Sequence, residues 1–326
     1  MNAQLLLRKY ACALICVTAL AGQAVGAETN FPTKTVRIIV AFAPGQATDI
    51  IARLLANELT QMWKQQVVVE NISGGNSIPG TFAGRNAAAD GYTITFGTSS
   101  SFAVNPSILP NLPYDPVRDF TMVNGVFISP WVIVASPKAP YKTLKEMVAA
   151  AKEKPNSLLW SVSATSLQLG AALFKSRAGV QIVDVPYKGS GQAITDLLGG
   201  QIPMMIDTVA ATLPNIKAGK MKVLASMSAK RLPWLPDVPT VVELGYPGVE
   251  AAGWGGLAVP KGTPSEIVDK ISADVRVALK DSNLNQRIND IGAIVDARGP
   301  KEWSNFVEAE VIKWADIARS ANVKAH

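Results

Sequence analysis

Three acidic residues, Asp184, Asp196 and Asp207, fall in one short region, and two carboxyl groups held together are the minimum for general acid and base chemistry. Their spacing forces no such pair. Asp207 follows the strand-like run Met204–Ile206 and can face a cleft, whereas Asp196 sits in a helical pattern and reads as solvent-facing or as a cap. Hydroxyl groups cluster twice, in "GTSSS" (Gly97 to Ser101) and in "SVSATS" (Ser161 to Ser166). Each cluster follows a predicted strand, where hydroxyls and exposed amides can hold the oxygens of a small acid. The only histidine is His326, and the only cysteines are Cys12 and Cys16. A Ser-His-Asp triad, a Cys-His pair and a histidine-based zinc site therefore find no residues in the body of the chain.

Two glycine-bearing turns invite an anion. In "VAFAPGQATDIIARLL" (Val40 to Leu55) a strand ends, the chain turns at Pro44-Gly45, and a helix opens near Thr48-Asp49. Free amides and the positive dipole end at a helix start favour negative charge, although an ordinary capped turn has the same residues. An aspartate so close to the turn suits a carboxylate held through backbone or water better than a bare phosphate. "SGGNSIPGTF" (Ser73 to Phe82) spaces Gly75 and Gly80 like a phosphate loop, but Thr81-Phe82 stands where Lys-Ser/Thr is required. It reads instead as a flexible loop near the cleft, or one whose glycine amides reach the ligand. Phe42 and Trp131 are the aromatics nearest strand ends, and Trp131 reads as core, rim or a stacking wall.

The elements that would position these residues alternate. Val36–Phe42, Val67–Glu70 and Thr93–Phe96 read as buried strands, with Ile50, Ile51, Leu54, Leu55, Leu59 and Met62 at helical spacing between the first two. Continuous apolar strands separated by helices predict a parallel sheet covered on both faces. The pattern restarts with Trp131–Ala135, a capping box at Thr143-Leu144-Lys145-Glu146, strands near Leu158–Ser163, Ile182–Val185, Met204–Ile206 and Val223–Ser226, and helices from about Leu167 and around Ile194–Leu198. A strand at Leu257–Val259, a second capping box at Thr263–Glu266 and helices near Ile267–Leu279 and Lys301–Ala321 follow. Two α/β units joined by crossing segments leave a cleft, the usual home of a small ligand.

Arg8-Lys9, the apolar run from Tyr10 to about Ala21 and the small residues Val25-Gly26-Ala27 predict a secretory leader, residues 1–27, cut after Ala27. With both cysteines in that leader, the exported chain must be held by its core rather than by disulfides. The formal charge of +6 is scattered with no basic run, which argues against nucleic acid as a partner.

The segments "FPTKTVRIIVAFAPGQATDIIARLLA", "VVVENISGG", "AAADGYTITFGTSS", "NPSILPNLPYDPVRDF", "VPYKGSGQAITDLLGGQI", "LASMSAKRLPWLPDVPTVVELGYPG", "WGGLAVPKGTP" and "AEVIKWADIA" run in order through the chain. Together they resemble the extracytoplasmic solute-binding receptors of tripartite tricarboxylate transporters, the Bug family. The resemblance implies a two-lobed α/β protein of the periplasmic-binding-protein (Venus flytrap) type, with residues 28–127 plus 252–326 in one lobe and 128–251 in the other. It implies a monomer in the periplasm without catalytic activity or cofactor, which closes on a small organic carboxylate and delivers it to membrane transporter subunits.

The ligand is expected to be a dicarboxylate, aliphatic or aromatic, with Trp131 and the apolar surroundings of Phe42 leaning slightly to an aromatic one. The resemblance puts Phe42, Ala43, Gly45, Thr48 and Asp49 at the site. Gly97, Thr98, Ser99 and Ser100, with Ser163, Ala164, Thr165 and Ser166, would form the other walls, and Asp207 and Thr208 would lie nearby. Gln46 replaces the second glycine usual in the family's loop and is counted with the site, as is Trp131. Gln168 and Ala172 stand where many relatives have His and Glu. The competing readings are a secreted α/β hydrolase using Asp207 with a cleft serine, and a sensor partner that presents its ligand to a membrane kinase.

Overall fold

The computed structural model describes residues 30–321, so the expected leader, Cys12, Cys16 and His326 lie outside the described residues. Strand β1 (Val36–Val40) leads through the Pro-Gly turn to helix α1 (Ala47–Trp63), then to β2 (Val67–Asn71), α2 (Ile78–Arg85) and β3 (Thr93–Thr98). A π-helical turn (Ser100–Val104) and one α-helical turn (Asn105–Ile108) precede the long β4 (Phe120–Ala135). Then come α3 (Leu144–Glu153), β5 (Leu159–Val162), α4 (Thr165–Ala178), β6 (Val183–Pro186), α5 (Ser190–Gly199), β7 (Met204–Thr208), α6 (Val209–Lys217) and β8 (Lys222–Ser226). The chain returns through β9 (Ala252–Pro260), α7 (Ser265–Lys280), α8 (Ser282–Asp290), β10 (Ile294–Val295) and α9 (Pro300–Ser320).

The strands lie in the order β2-β1-β3-β9-β4-β7-β5-β6, with β8 and β10 also paired to β4. Two parallel blocks, β2-β1-β3 and β7-β5-β6, match the predicted βα alternation. Between them, beyond the βα alternation that predicted the parallel sheet, the pairing is antiparallel: β9 and β4 run against their neighbours. Strand β4 joins the blocks. Its residues Phe120–Pro130 pair with β9, and from Trp131 onward it pairs with β7 and β8, so its partners change between Pro130 and Trp131.

Most predicted elements form because their apolar residues are buried as the pattern requires. In α1, Ile51, Leu54, Leu55 and Leu59 face the core, while Ile50 and Met62 are partly exposed. Thr143 caps α3 by accepting from the Glu146 amide at 3.2 Å, and the Glu146 carboxylate accepts from the Lys142 amide at 2.6 Å, one residue earlier than a standard box. The second predicted box does not form. The Thr263 hydroxyl donates to the Pro260 carbonyl at 2.8 Å instead, and α7 begins at Ser265 after an uncapped Pro264. The glycine loop at Ser73–Phe82 also departs from expectation, since Ile78 opens α2. A methyl group on Gly80 would lie 2.6 Å from the Ile72 carbonyl oxygen and 2.8 Å from Ala41 Cβ, so that glycine serves close packing of α2 on β1 and not a ligand.

Candidate functional site

A cavity of about 610 Å³ opens where the strands of both blocks end. The first residues of four helices reach it: Ala47 and Thr48 of α1, Ser166 of α4, Ser190 and Gly191 of α5, and Ala210 and Ala211 of α6. A helix start exposes unpaired amides and the positive end of its dipole, so four of them directed at one space make it favourable for an anion. Thr98 and Ser129 also line the cavity, and their hydroxyl oxygens are buried without a hydrogen-bond partner among the described residues. Buried polar atoms without partners are costly, and a bound acid or water would satisfy them.

The turn after β1 is held from behind. Gly45 takes a φ of +84°, which a residue with a side chain adopts only under strain, and its amide donates to Asp49 Oδ2 at 2.8 Å. Asp49 is buried and also accepts from Arg53 Nε at 3.0 Å and from Asn71 Nδ2 at 2.9 Å. Asn71 Nδ2 in turn donates to the Phe42 carbonyl at 3.0 Å. Burial pushes the Asp49 carboxyl upward, but the bonds from Arg53, Gly45 and Asn71 and the charge of Arg53 outweigh it and hold the group below its ordinary value. Asp49 thus fixes the turn and does not line the cavity, while Phe42, Gly45, Gln46 and Thr48 do.

The two hydroxyl clusters meet across the cavity floor. Ser100 Oγ donates to Ser166 Oγ at 3.0 Å and accepts from the Ser166 amide at 3.4 Å. Thr98, Ser99, Ser100, Ser163, Ala164 and Ser166 line the space. Three expected site residues do not line the cavity. Thr165 donates its hydroxyl to Asn105 Oδ1 at 2.9 Å, a methyl group on Gly97 would collide with the Phe102 ring at 2.1 Å, and Ala43 lies outside the lining.

Asp207 and Thr208 both border the cavity. Asp207 lies inside β7, paired with Val132, rather than just beyond the strand. Its Oδ2 accepts from Ser163 Oγ at 3.0 Å and its Oδ1 from the Thr208 amide at 2.7 Å. Burial pushes the Asp207 carboxyl above its ordinary value, and bonds from Ser190, the Thr208 amide, Ser163 and the Thr208 hydroxyl pull it back only in part. Thr208 caps α6 directly, its hydroxyl accepting from the Ala211 amide at 3.1 Å. Among the described residues no imidazole is present to act as the base of a hydrolytic triad with Ser163 and the buried Asp207.

Trp131 is both core and wall: it borders the cavity but packs on Trp314 (ring centroids 6.1 Å apart) and against Gly170. Trp254 and Phe127, which sequence reasoning missed, complete the aromatic wall. Lys217 of α6 and Asp290 of α8 also line the cavity, brought here only by the packing of distant segments. Arg53, four residues after Asp49, was recoverable from helical spacing alone. Gln168 and Ala172 do not line the cavity, whereas Gln46 does.

A two-lobed α/β fold with an anion-favouring cavity at its strand ends defines a solute-binding receptor of the periplasmic-binding-protein type. Residues 51–323 match the tripartite tricarboxylate transporter family receptor, and the chain belongs to that family. It is 35% identical over 314 residues to Protein BugT of Bordetella pertussis, an alignment covering 95% of this chain and 96% of that one. Among solved structures it is similar to Rpa4515 of R. palustris with adipate (34% identity, TM-score 0.86, covering 90% of this chain and 99% of that one). It is also similar to MatC from Rhodopseudomonas palustris with bound malate (32% identity, TM-score 0.83, covering 88% and 99%). No helix among the described residues is long and apolar enough to cross a membrane.

Proposed function

We propose that this chain captures a small aliphatic dicarboxylate in the periplasm, after removal of residues 1–27, and hands it unchanged to a tripartite tricarboxylate-type transporter. The convergence of four helix starts on one cavity carries the reading, because it supplies positive potential from the backbone without a buried cation. Adipate and malate in two related proteins point to the same ligand class. The aromatic walls favour an aliphatic over an aromatic body. Trp131 packs on Trp314, Phe127 on Phe96, and Trp254 on Trp303 and Phe306, so these rings are already engaged with other rings.

In this proposal Gly45, Gln46, Thr48, Thr98, Ser99 and Ser100 hold one end of the acid, and Ser163, Ala164, Ser166 and Thr208 the other. Asp49 and Thr165 act by positioning. The lobes are residues 28–127 plus 252–326 and residues 128–251; the protein works as a monomer, and ligand shifts it toward the closed form.

Thermal shift with adipate, malate and hexanoate tests the proposal, since a ligand of the native state stabilises it by RT ln(1 + [L]/Kd). Stabilisation by the diacids above hexanoate, with the acids recovered intact, is the expected outcome. Conversion of the acid in excess of protein would overturn the receptor role in favour of a hydrolase, and no stabilisation by either diacid would overturn the ligand class.

A further inference from the structure

Gly189, the residue before α5, has a backbone that asks for no glycine: φ is 172° and ψ is 166°, extended geometry open to any residue. What requires a glycine there is a neighbour. A methyl group on Gly189 would sit 2.5 Å from Gln46 Nε2 and 3.8 Å from Gln46 Cδ, and no other group closes on it. Gln46 precedes α1 in the turn after β1, and Gly189 precedes α5 in the turn after β6. The two strands belong to the two parallel blocks, at opposite ends of the strand order. The Gln46 side chain does not cap its own helix, and the residue lines the cavity. It rests against Gly189, where even a methyl group would have to displace it.

We propose that Gln46 and Gly189 form a cross-cleft latch that retains the bound acid and makes Gln46 a specificity-determining residue of the receptor. The inference rests on the receptor reading above and adds the element that shuts the ligand in. Gln46 stands at the start of one helix and Gly189 at the start of another, and both helix starts face the anion's space. An amide bridging them offers N–H donors to a carboxylate below and an oxygen to amides alongside. It also covers that end of the cavity, so release of the acid requires the two turns to part. A ligand that bridges both turns and leaves the amide undisturbed gains the contact; one that projects between them loses it.

The atom in the way of a Gly189 methyl is the tip of a flexible side chain, so Gly189→Ala displaces the amide without unfolding the protein. A double-mutant cycle over Gln46→Ala, Gly189→Ala and both together, with adipate as the probe, tests the latch. Each single substitution is expected to speed adipate dissociation in stopped-flow displacement by about three- to tenfold, the worth of one hydrogen bond. The double variant should release adipate no faster than Gln46→Ala alone, because a methyl is harmless once the amide is gone. Independent, multiplying effects, or an unchanged rate in Gly189→Ala, would overturn the proposal. The same cycle on the melting temperature of the ligand-free protein reads the contact without any acid. Coupling there with no adipate binding to the unsubstituted protein would refute the proposed ligand class and leave the contact standing. Additivity there together with tight adipate binding would refute the latch alone.

Discussion

Replacing Asp49 with alanine tests whether the turn after β1 is held by its buried carboxylate. The substitution strips the acceptor from three donors: the Gly45 amide at 2.8 Å, Asn71 Nδ2 at 2.9 Å and Arg53 Nε at 3.0 Å. Their losses are unequal. The Arg53 side chain is 48% exposed and returns to water at little cost. Asn71 keeps its bond to the Phe42 carbonyl but leaves one amide hydrogen short of a partner. The Gly45 amide loses the bond that fixes a left-handed residue at the cavity's rim. One strained turn and one partly buried donor sum to about 1–3 kcal/mol, which lowers affinity for adipate by roughly 5- to 150-fold if the ordered turn is part of the site.

Isothermal titration of the folded variant measures the loss, and Asp49→Asn, which keeps an acceptor but not the charge, should fall between the two. The folded pKa of Asp49 is depressed, so its contribution to stability is present above the ordinary carboxylate range and is lost as pH falls toward the folded value. That acid-side loss should disappear in Asp49→Asn. A folded Asp49→Ala protein that binds adipate with unchanged affinity would refute the reasoning and leave the turn to be held by its backbone alone.

Asp207 has the opposite sign. Its folded pKa is raised, so stability is greatest below the ordinary carboxylate range and declines as pH rises through the folded value; Asp207→Asn should flatten that decline in melting temperature against pH. Thr208→Ala removes the cap of α6 and should cost about 1 kcal/mol in urea unfolding, with weaker adipate binding alongside. Gly80→Ala drives a methyl into Ala41 and the Ile72 carbonyl and should destabilise by about 1–3 kcal/mol in the same assay; a neutral result would restore a role for that loop other than packing.

The parts of the fold that could be read from sequence are those in which periodicity and burial agree. The helix after β1 announced itself because Ile51, Leu54, Leu55 and Leu59 recur on one face, and the core takes that face. The first half of β4 did not. Its residues are buried on both sides, its register shifts between Met122 and Asn124 and again between Gly125 and Phe127, and Pro130 interrupts the strand signal. Hydroxyl clusters after strands were legible as walls, and the structure joins them through Ser100 and Ser166. Whether a given side chain faces the cavity was not legible. Thr165 and Ser166 are adjacent and chemically alike, yet one bonds Asn105 and the other lines the space, a choice made by the rotation of the first helical turn.

The four helix starts at the cavity are tethered with very different amounts of slack. Ala41–Gln46 separates β1 from α1, Ser163-Ala164 separates β5 from α4, Tyr187–Gly189 separates β6 from α5, and β7 passes into α6 with no residue between them. Insertion or deletion at the last junction would rotate a whole helix against the sheet, whereas the first junction can change length while both of its ends stay in place. As such receptors diverge toward new acids, the Thr208 junction should act as a fixed datum, and innovation should accumulate in the turn that carries Gln46.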